Sequence, residues 1–82
     1  MTFYIRPRQD FSLARFSKIL HVLYREGVPH NPTLVINPDT MKTEVRIEVS
    51  TLSRNWAELY VKLICENTDC IESDFKIIEV NE

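Results

Sequence analysis

The side chains able to do chemistry in this sequence are two histidines, two cysteines and a scatter of carboxylates and arginines. His21, His30, Cys65 and Cys70 could ligate a metal, yet their spacing matches no zinc finger or ribbon. The simpler reading puts His21 on an exposed helix, His30 in a loop beside Pro29, and Cys65 part-buried on a second helix. Cys65 and Cys70 are too few for a disulfide framework and poorly spaced for a redox pair, so both thiols are expected reduced. No HExxH, GxSxG, paired-carboxylate or Cys-His arrangement supplies a nucleophile or an acid–base pair, and catalysis is not expected. The best enzymatic candidate is Arg8, which could hold an acyl phosphate. The turn that follows, Gln9 to Ser12, has no glycine to open a nest of backbone donors, and Asp10 would repel the anion.

Binding chemistry is similarly constrained. The one glycine, Gly27, is too little for a phosphate-cradling loop, which excludes Walker and Rossmann sites. A formal net charge of -2 offers no broad attraction to nucleic acid or to anionic membranes. Tyr4 could stack a base as RNA-recognition motifs do, but Glu44 and Glu48 stand where a basic, aromatic strand is needed. Tyr4 is better read as a cross-strand packing residue. Trp56, in the first turn of a helix, reads as a core-edge or interface residue. Arg15, Lys18 and Arg25 read as a solvated helix face. No apolar run reaches the roughly 20 residues that cross a bilayer, and the first residues lack a signal peptide's apolar centre, so a cytoplasmic protein is expected.

These residues must be positioned by a chain of 82 residues, enough for one domain that buries only about 60 to 65% of its unfolded surface. Pairing with another chain would relieve its exposed edges, so a homodimer or a subunit is expected. From Thr2 to Arg8, Phe3 and Ile5 alternate with Tyr4 and Arg6, a half-buried strand. Leu13, Phe16, Ile19, Leu20 and Leu23 then fall at helical spacing, with Asp10 or Ser12 as cap and Gly27 as the closing residue. Pro29 and Pro32 forbid continuation, and Thr33 to Ile36 forms a second strand. Asn37 to Thr40 turns the chain into a third, Glu44 to Val49, whose Val45, Ile47 and Val49 face the core while Glu44, Arg46 and Glu48 stay wet. Ser53 or Asn55 caps a second helix carrying Trp56, Leu59, Tyr60, Leu63 and Ile64. A last strand runs from about Asp74 to Val80, and Asn81 and Glu82 are expected to fray. The order βαββαβ specifies an α+β, ferredoxin-like fold: a four-stranded antiparallel sheet with two helices on one face, forming a single domain over residues 1–82.

Phe16 to Gly27, the strand Thr43 to Val49 and the segment Thr68 to Cys70 together resemble the ACT domain. The similarity is strongest to the small regulatory subunits of acetolactate synthase of the isozyme II type, from roughly Phe3 to Ile78. The resemblance implies a noncatalytic, dimeric regulatory subunit of branched-chain amino acid biosynthesis that binds and activates a large catalytic subunit. Thiamine diphosphate, magnesium and flavin would belong to that large subunit, with no cofactor in this chain. It also implies an effector site between protomers, for which Asp10, Phe11, Ser12, Leu13 and Ala14, with Gly27, Val28, Pro29 and His30, are the candidates. In valine-responsive relatives that site uses an Asn, a Gly and a second Asn, which correspond here to Phe11, Ala14 and Pro29. Phe lacks an amide, the Ala Cβ crowds the backbone, and Pro has no N–H. Valine feedback is therefore expected to be weak or absent. The alternative is a stand-alone ACT-like module for amino-acid sensing or enzyme assembly.

Overall fold

The computed structural model describes residues 1–80; the expectation that Asn81 and Glu82 fray lies outside the described residues. The elements are β1 (Thr2–Pro7), α1 (Leu13–Arg25), β2 (Asn31–Ile36), β3 (Thr43–Ser50), α2 (Arg54–Asn67), a 3-10 turn (Glu72–Asp74) and β4 (Phe75–Glu79). All neighbouring strands pair antiparallel in the order β2-β3-β1-β4, the ferredoxin-like arrangement that the element order specifies.

Alternation decides which face each strand buries. Phe3, Ile5, Ile47 and Val49 are sealed against Ile19 and Leu23 of α1 and Ala57, Val61 and Ile64 of α2, so both helices lie on the face these residues share. The other face carries Tyr4, Arg6, Glu44, Arg46 and Glu48 and is covered by no element among the described residues. Of the expected stripe of α1, Ile19 and Leu23 are buried and Phe16 and Leu20 pack against the core. Val22 is buried in addition, whereas Leu13 is 81% exposed.

Local chemistry sets the ends. Ser12 caps α1, its hydroxyl accepting from the Arg15 N–H at 3.2 Å, while Asp10 is drawn away to Arg8. Ser53 holds the cap position of α2 without a side-chain bond, and Asn55 lies inside the first turn. Strand β2 begins at Asn31, two residues earlier than expected. Pro32 is tolerated there because β2 is an edge strand, where a missing donor costs no ladder bond. In the hairpin, the Asn37 side chain accepts from the Asp39 and Thr40 N–H groups, and Met41 takes the left-handed conformation, φ 59°.

Gly27 closes α1 at φ +73°, its N–H donating to the Tyr24 carbonyl and that of Val28 to the Leu23 carbonyl. A Cβ added at Gly27 would meet nothing within 4 Å, so any penalty comes from the backbone alone. Gly27→Ala should lower the unfolding free energy by about 1 kcal/mol. Urea unfolding would show this as a lower midpoint at an unchanged slope.

Candidate effector and subunit-contact site

The chain brings the two candidate segments to opposite ends of α1. Asp10 to Ala14 lie where β1 turns into the helix and Gly27 to His30 where the helix leaves for β2, so the length of 13 helical residues, about 20 Å, separates them. Within one protomer they form no common site.

At the first end the residues are engaged with one another. Arg8 holds Asp10 in a two-point ion pair, 2.6 and 3.1 Å, and reaches Asp74 at 3.5 Å. The Asp10 hydrogen bond and charge, with Asp74 behind them, raise the Arg8 pKa further above its ordinary value. With two carboxylates on one guanidinium, Arg8 has little field left for an incoming anion. The Phe11 ring packs edge-on against Phe75, centroids 6.3 Å apart, and carries the Arg15 guanidinium 5.0 Å above it. Leu13 and Phe16 of α1, with Phe11, Pro7 and Val45, line a small, mainly apolar pocket of about 220 Å³. Ala14 faces away from it, into a polar depression with Arg15, Lys18 and Thr68.

Gln9 contributes a feature that the spacing of the sequence did not reveal. The β1–β3 register pairs Ile5 with Ile47, so a continued ladder would set Pro7 opposite Val45. Pro7 has no N–H to give. The Gln9 amide takes over, accepting from the Val45 N–H at 3.1 Å and donating to the Val45 and Pro7 carbonyls at 3.4 and 2.7 Å. The backbone groups beside the pocket are thus already satisfied from within the chain. A proline ending a strand with an amide two residues later is the sequence signal for it.

At the second end, Val28 is buried, Pro29 is exposed, and the half-buried His30 ring is tied through Nδ1 to the Val28 carbonyl at 2.8 Å. His21 lies exposed on α1. Among the described residues no group of three or more His, Cys, Asp or Glu side chains could hold a metal ion. Both cysteines are free. Burial pushes the Cys65 thiol pKa up, reinforced by Cys70, Glu72 and Asp74, which keeps that sulfur a protonated, weak nucleophile.

The open sheet face departs from the expectation of a wet row of charges. Glu44 is only 6% exposed. Asn37 donates to its Oε1 at 2.6 Å, Arg6 approaches that oxygen at 3.4 Å, and Arg46 holds Oε2 at 3.0 and 3.3 Å while its guanidinium lies 5.4 Å above the Tyr4 ring. Tyr4 is thereby packed within the sheet surface. The Asn37 bond, then Arg46 and Arg6, hold the Glu44 carboxyl below the usual range against the opposing effect of burial. A carboxyl whose native pKa is depressed contributes stability above its ordinary value near 4.5, and loses it as pH falls through the lowered native value. Thermal melts between pH 7 and pH 3 should therefore show Glu44→Gln less stable than the parent at neutral pH, the gap closing in acid. A constant gap would mean that the charge of Glu44 is not what stabilises this face.

Unburied apolar side chains line α1 and β2. Register places Leu34 opposite Val45 and Ile36 opposite Thr43, on the helix side of the sheet, yet neither helix reaches over β2. Leu34 is 73% and Ile36 65% exposed. The flank of α1 beside them carries exposed Leu13 and Tyr24 with part-buried Phe16 and Leu20, because its opposite flank turns to α2, where Arg25 bonds Asn67 at 2.7 Å. No helix among the described residues is long and apolar enough to cross a membrane. No protein-family model matches the chain, and a search of curated proteins finds no significant match.

Proposed function

We propose that this chain is a noncatalytic regulatory subunit, of the kind its sequence resembles, that pairs with a second copy and docks on the large catalytic subunit of acetolactate synthase. The observation that carries the reading is the uncovered apolar flank of α1 and β2, which borders the turn from β1 into α1. An apolar strip beside a free strand edge suits isologous pairing. A two-fold axis running through β2 would set one protomer's Asp10 to Ala14 beside its partner's Gly27 to His30, joining the two halves of the site that one chain keeps apart. Activation would then be a population shift, in which contacts made only with the active state of the catalytic subunit favour that state. Thiamine diphosphate, magnesium and flavin would sit in the catalytic subunit, and the protein would work in the cytoplasm.

Valine feedback in this reading is weak or absent. The residues at the β1–α1 turn are spent on one another, with Gln9 holding Val45 and Arg8 holding Asp10, and Phe11, Ala14 and Pro29 offer no polar side chain to an amino acid's charged ends. The apolar pocket of about 220 Å³ favours one alternative, a stand-alone ACT-like module that senses an amino acid or assembles another enzyme. Co-purification from the source cell separates the readings. Capture of a thiamine-dependent large subunit whose activity rises on adding the chain supports the first, and capture of an unrelated enzyme supports the second. Valine at sub-millimolar concentration should leave the melting temperature unchanged, and a saturable rise would refute the absence of feedback.

A further inference from the structure

The register of the sheet sets a run of like charges side by side on its open face. Lys76 of β4 lies directly opposite Arg6 of β1, and the β1–β3 ladder carried one step past Ile5 and Ile47 sets Arg46 opposite Arg6. Three cations thus stand in one row across three adjacent strands, opposed side chains being rooted only about 5 Å apart. Like charges in that position destabilise a sheet. Compensation is incomplete. Among the described residues Glu44 is the one carboxylate within ion-pair distance of the row, and it serves two members, Arg46 at 3.0 Å and Arg6 at 3.4 Å. Lys76 is exposed and has no ion pair among the described residues. Three cations against one carboxylate leave two positive charges unmatched, and the unpaired Lys76 places the excess on the β4 side of the row.

Beside Arg6 and Lys76 lies a depression of about 240 Å³, bounded beyond them by Arg8, Ser73 and Asp74. The carboxylates near it are directed elsewhere. Asp74, 8% exposed, accepts from the Ile71 N–H at 3.0 Å and turns its other oxygen to Arg8 at 3.5 Å. Asp10 holds Arg8 from the turn, and Glu48 stands one row away on β3, opposite Tyr4; neither lines the depression. Arg8, set between two carboxylates, adds no free charge, whereas exposed Ser73 offers a hydroxyl.

We infer that this depression binds the phosphate group of a small phosphomonoester, held between Lys76 and Arg6. A phosphate monoester carries about -1.5 to -2 charges at neutral pH, close to the two that the row lacks. Its three terminal oxygens can accept from the guanidinium, the ammonium and the Ser73 hydroxyl together. The bound anion turns the opposition of Arg6 and Lys76 from a cost into a clamp. The inference stands apart from the β2 pairing surface and from the identity of any enzyme the chain regulates.

The test uses the full chain, labelled with nitrogen-15 and titrated with methyl phosphate and with dimethyl phosphate, the ionic strength held constant with sodium chloride. Methyl phosphate should move the amide signals of Arg6, Ser73 and Lys76 saturably at millimolar concentration. Dimethyl phosphate, which carries a single charge and resembles the linkages of nucleic acid, should bind about tenfold more weakly. Lys76→Gln should lower the affinity for methyl phosphate about tenfold, while Lys62→Gln, which removes the same charge from α2, should leave it unchanged. At low salt and without phosphate, Lys76→Gln should also melt a few degrees above the parent, because the opposed pair is gone. Equal binding of the two esters, a loss of affinity shared by both variants, absence of a saturable shift, or a Lys76→Gln chain that melts no higher than the parent would overturn the inference. Lys76 is exposed, and the comparison of the two esters on the unmodified chain tests the charge requirement even if the variant does not fold.

Discussion

Ile47→Ala is expected to destabilise the fold by roughly 2 to 5 kcal/mol, the largest single loss that we anticipate outside a change of backbone. Ile47 has no exposed surface and sits on the inner strand β3, opposite Ile5 of β1 on one side and Pro32 of β2 on the other. It therefore ties three of the four strands to the layer formed by Ile19, Leu23 and Ile64, and no neighbour can close the space by moving as one piece. A chain of this length holds on the order of 4 to 12 kcal/mol in total, so the substitution removes a large part of the margin. A fall in melting temperature of about 15 °C is the expected reading. Leu52→Ala is the matched control. Leu52 is 87% exposed, and its truncation should change stability by less than about 0.5 kcal/mol. Equal shifts for the two variants would mean that the inward row of β3 is not the core.

Alternation made this core legible before any coordinates. Phe3 and Ile5, then Val45, Ile47 and Val49, announce one inward face each, and a period of two leaves little choice of register once a single face is apolar. Gly27 marked the end of α1 for a similarly local reason, since the left-handed residue after a helix is most often glycine. What escaped the reading depends on neighbours distant in sequence. The burial of Glu44 needs Arg6 from another strand and Asn37 from the far side of the hairpin, none of which a pattern of alternating charges reveals. Leu13 fits the apolar stripe of α1 by spacing, but spacing within a helix carries no information about what lies beneath its first turn. The candidate site was legible only in halves. The turn chemistry of Asp10 to Ala14 and of Gly27 to His30 is local, whereas their separation by the whole of α1 is a property of the fold. Leu34 and Ile36 were correctly assigned to a strand, but a strand's type does not disclose that it lies at an edge no helix covers.

That uncovered edge yields the second large effect, on assembly instead of folding. The unmodified chain is expected to sediment as a dimer at micromolar concentration, and Leu34→Glu as a monomer with an unchanged circular dichroism spectrum. Leu34 is 73% exposed in the single protomer, so a carboxylate there stays hydrated and costs the monomer little. In a pair joined along β2 the same position would be covered twice, once from each copy, and each buried, unpaired carboxylate carries a penalty of several kcal/mol. A total near 4 kcal/mol already weakens association about a thousandfold. Pro32 places the centre of the contact further along the strand. With no N–H at that position, antiparallel pairing must run through Leu34 and Ile36, and the flanks of α1 bearing Leu13 and Tyr24 would then meet above the joined sheet. A dimer that survives Leu34→Glu would place the contact elsewhere. A parent chain that stays monomeric at every concentration would remove the composite site between one protomer's Asp10 to Ala14 and the other's Gly27 to His30, and with it the structural basis for an effector shared between two copies.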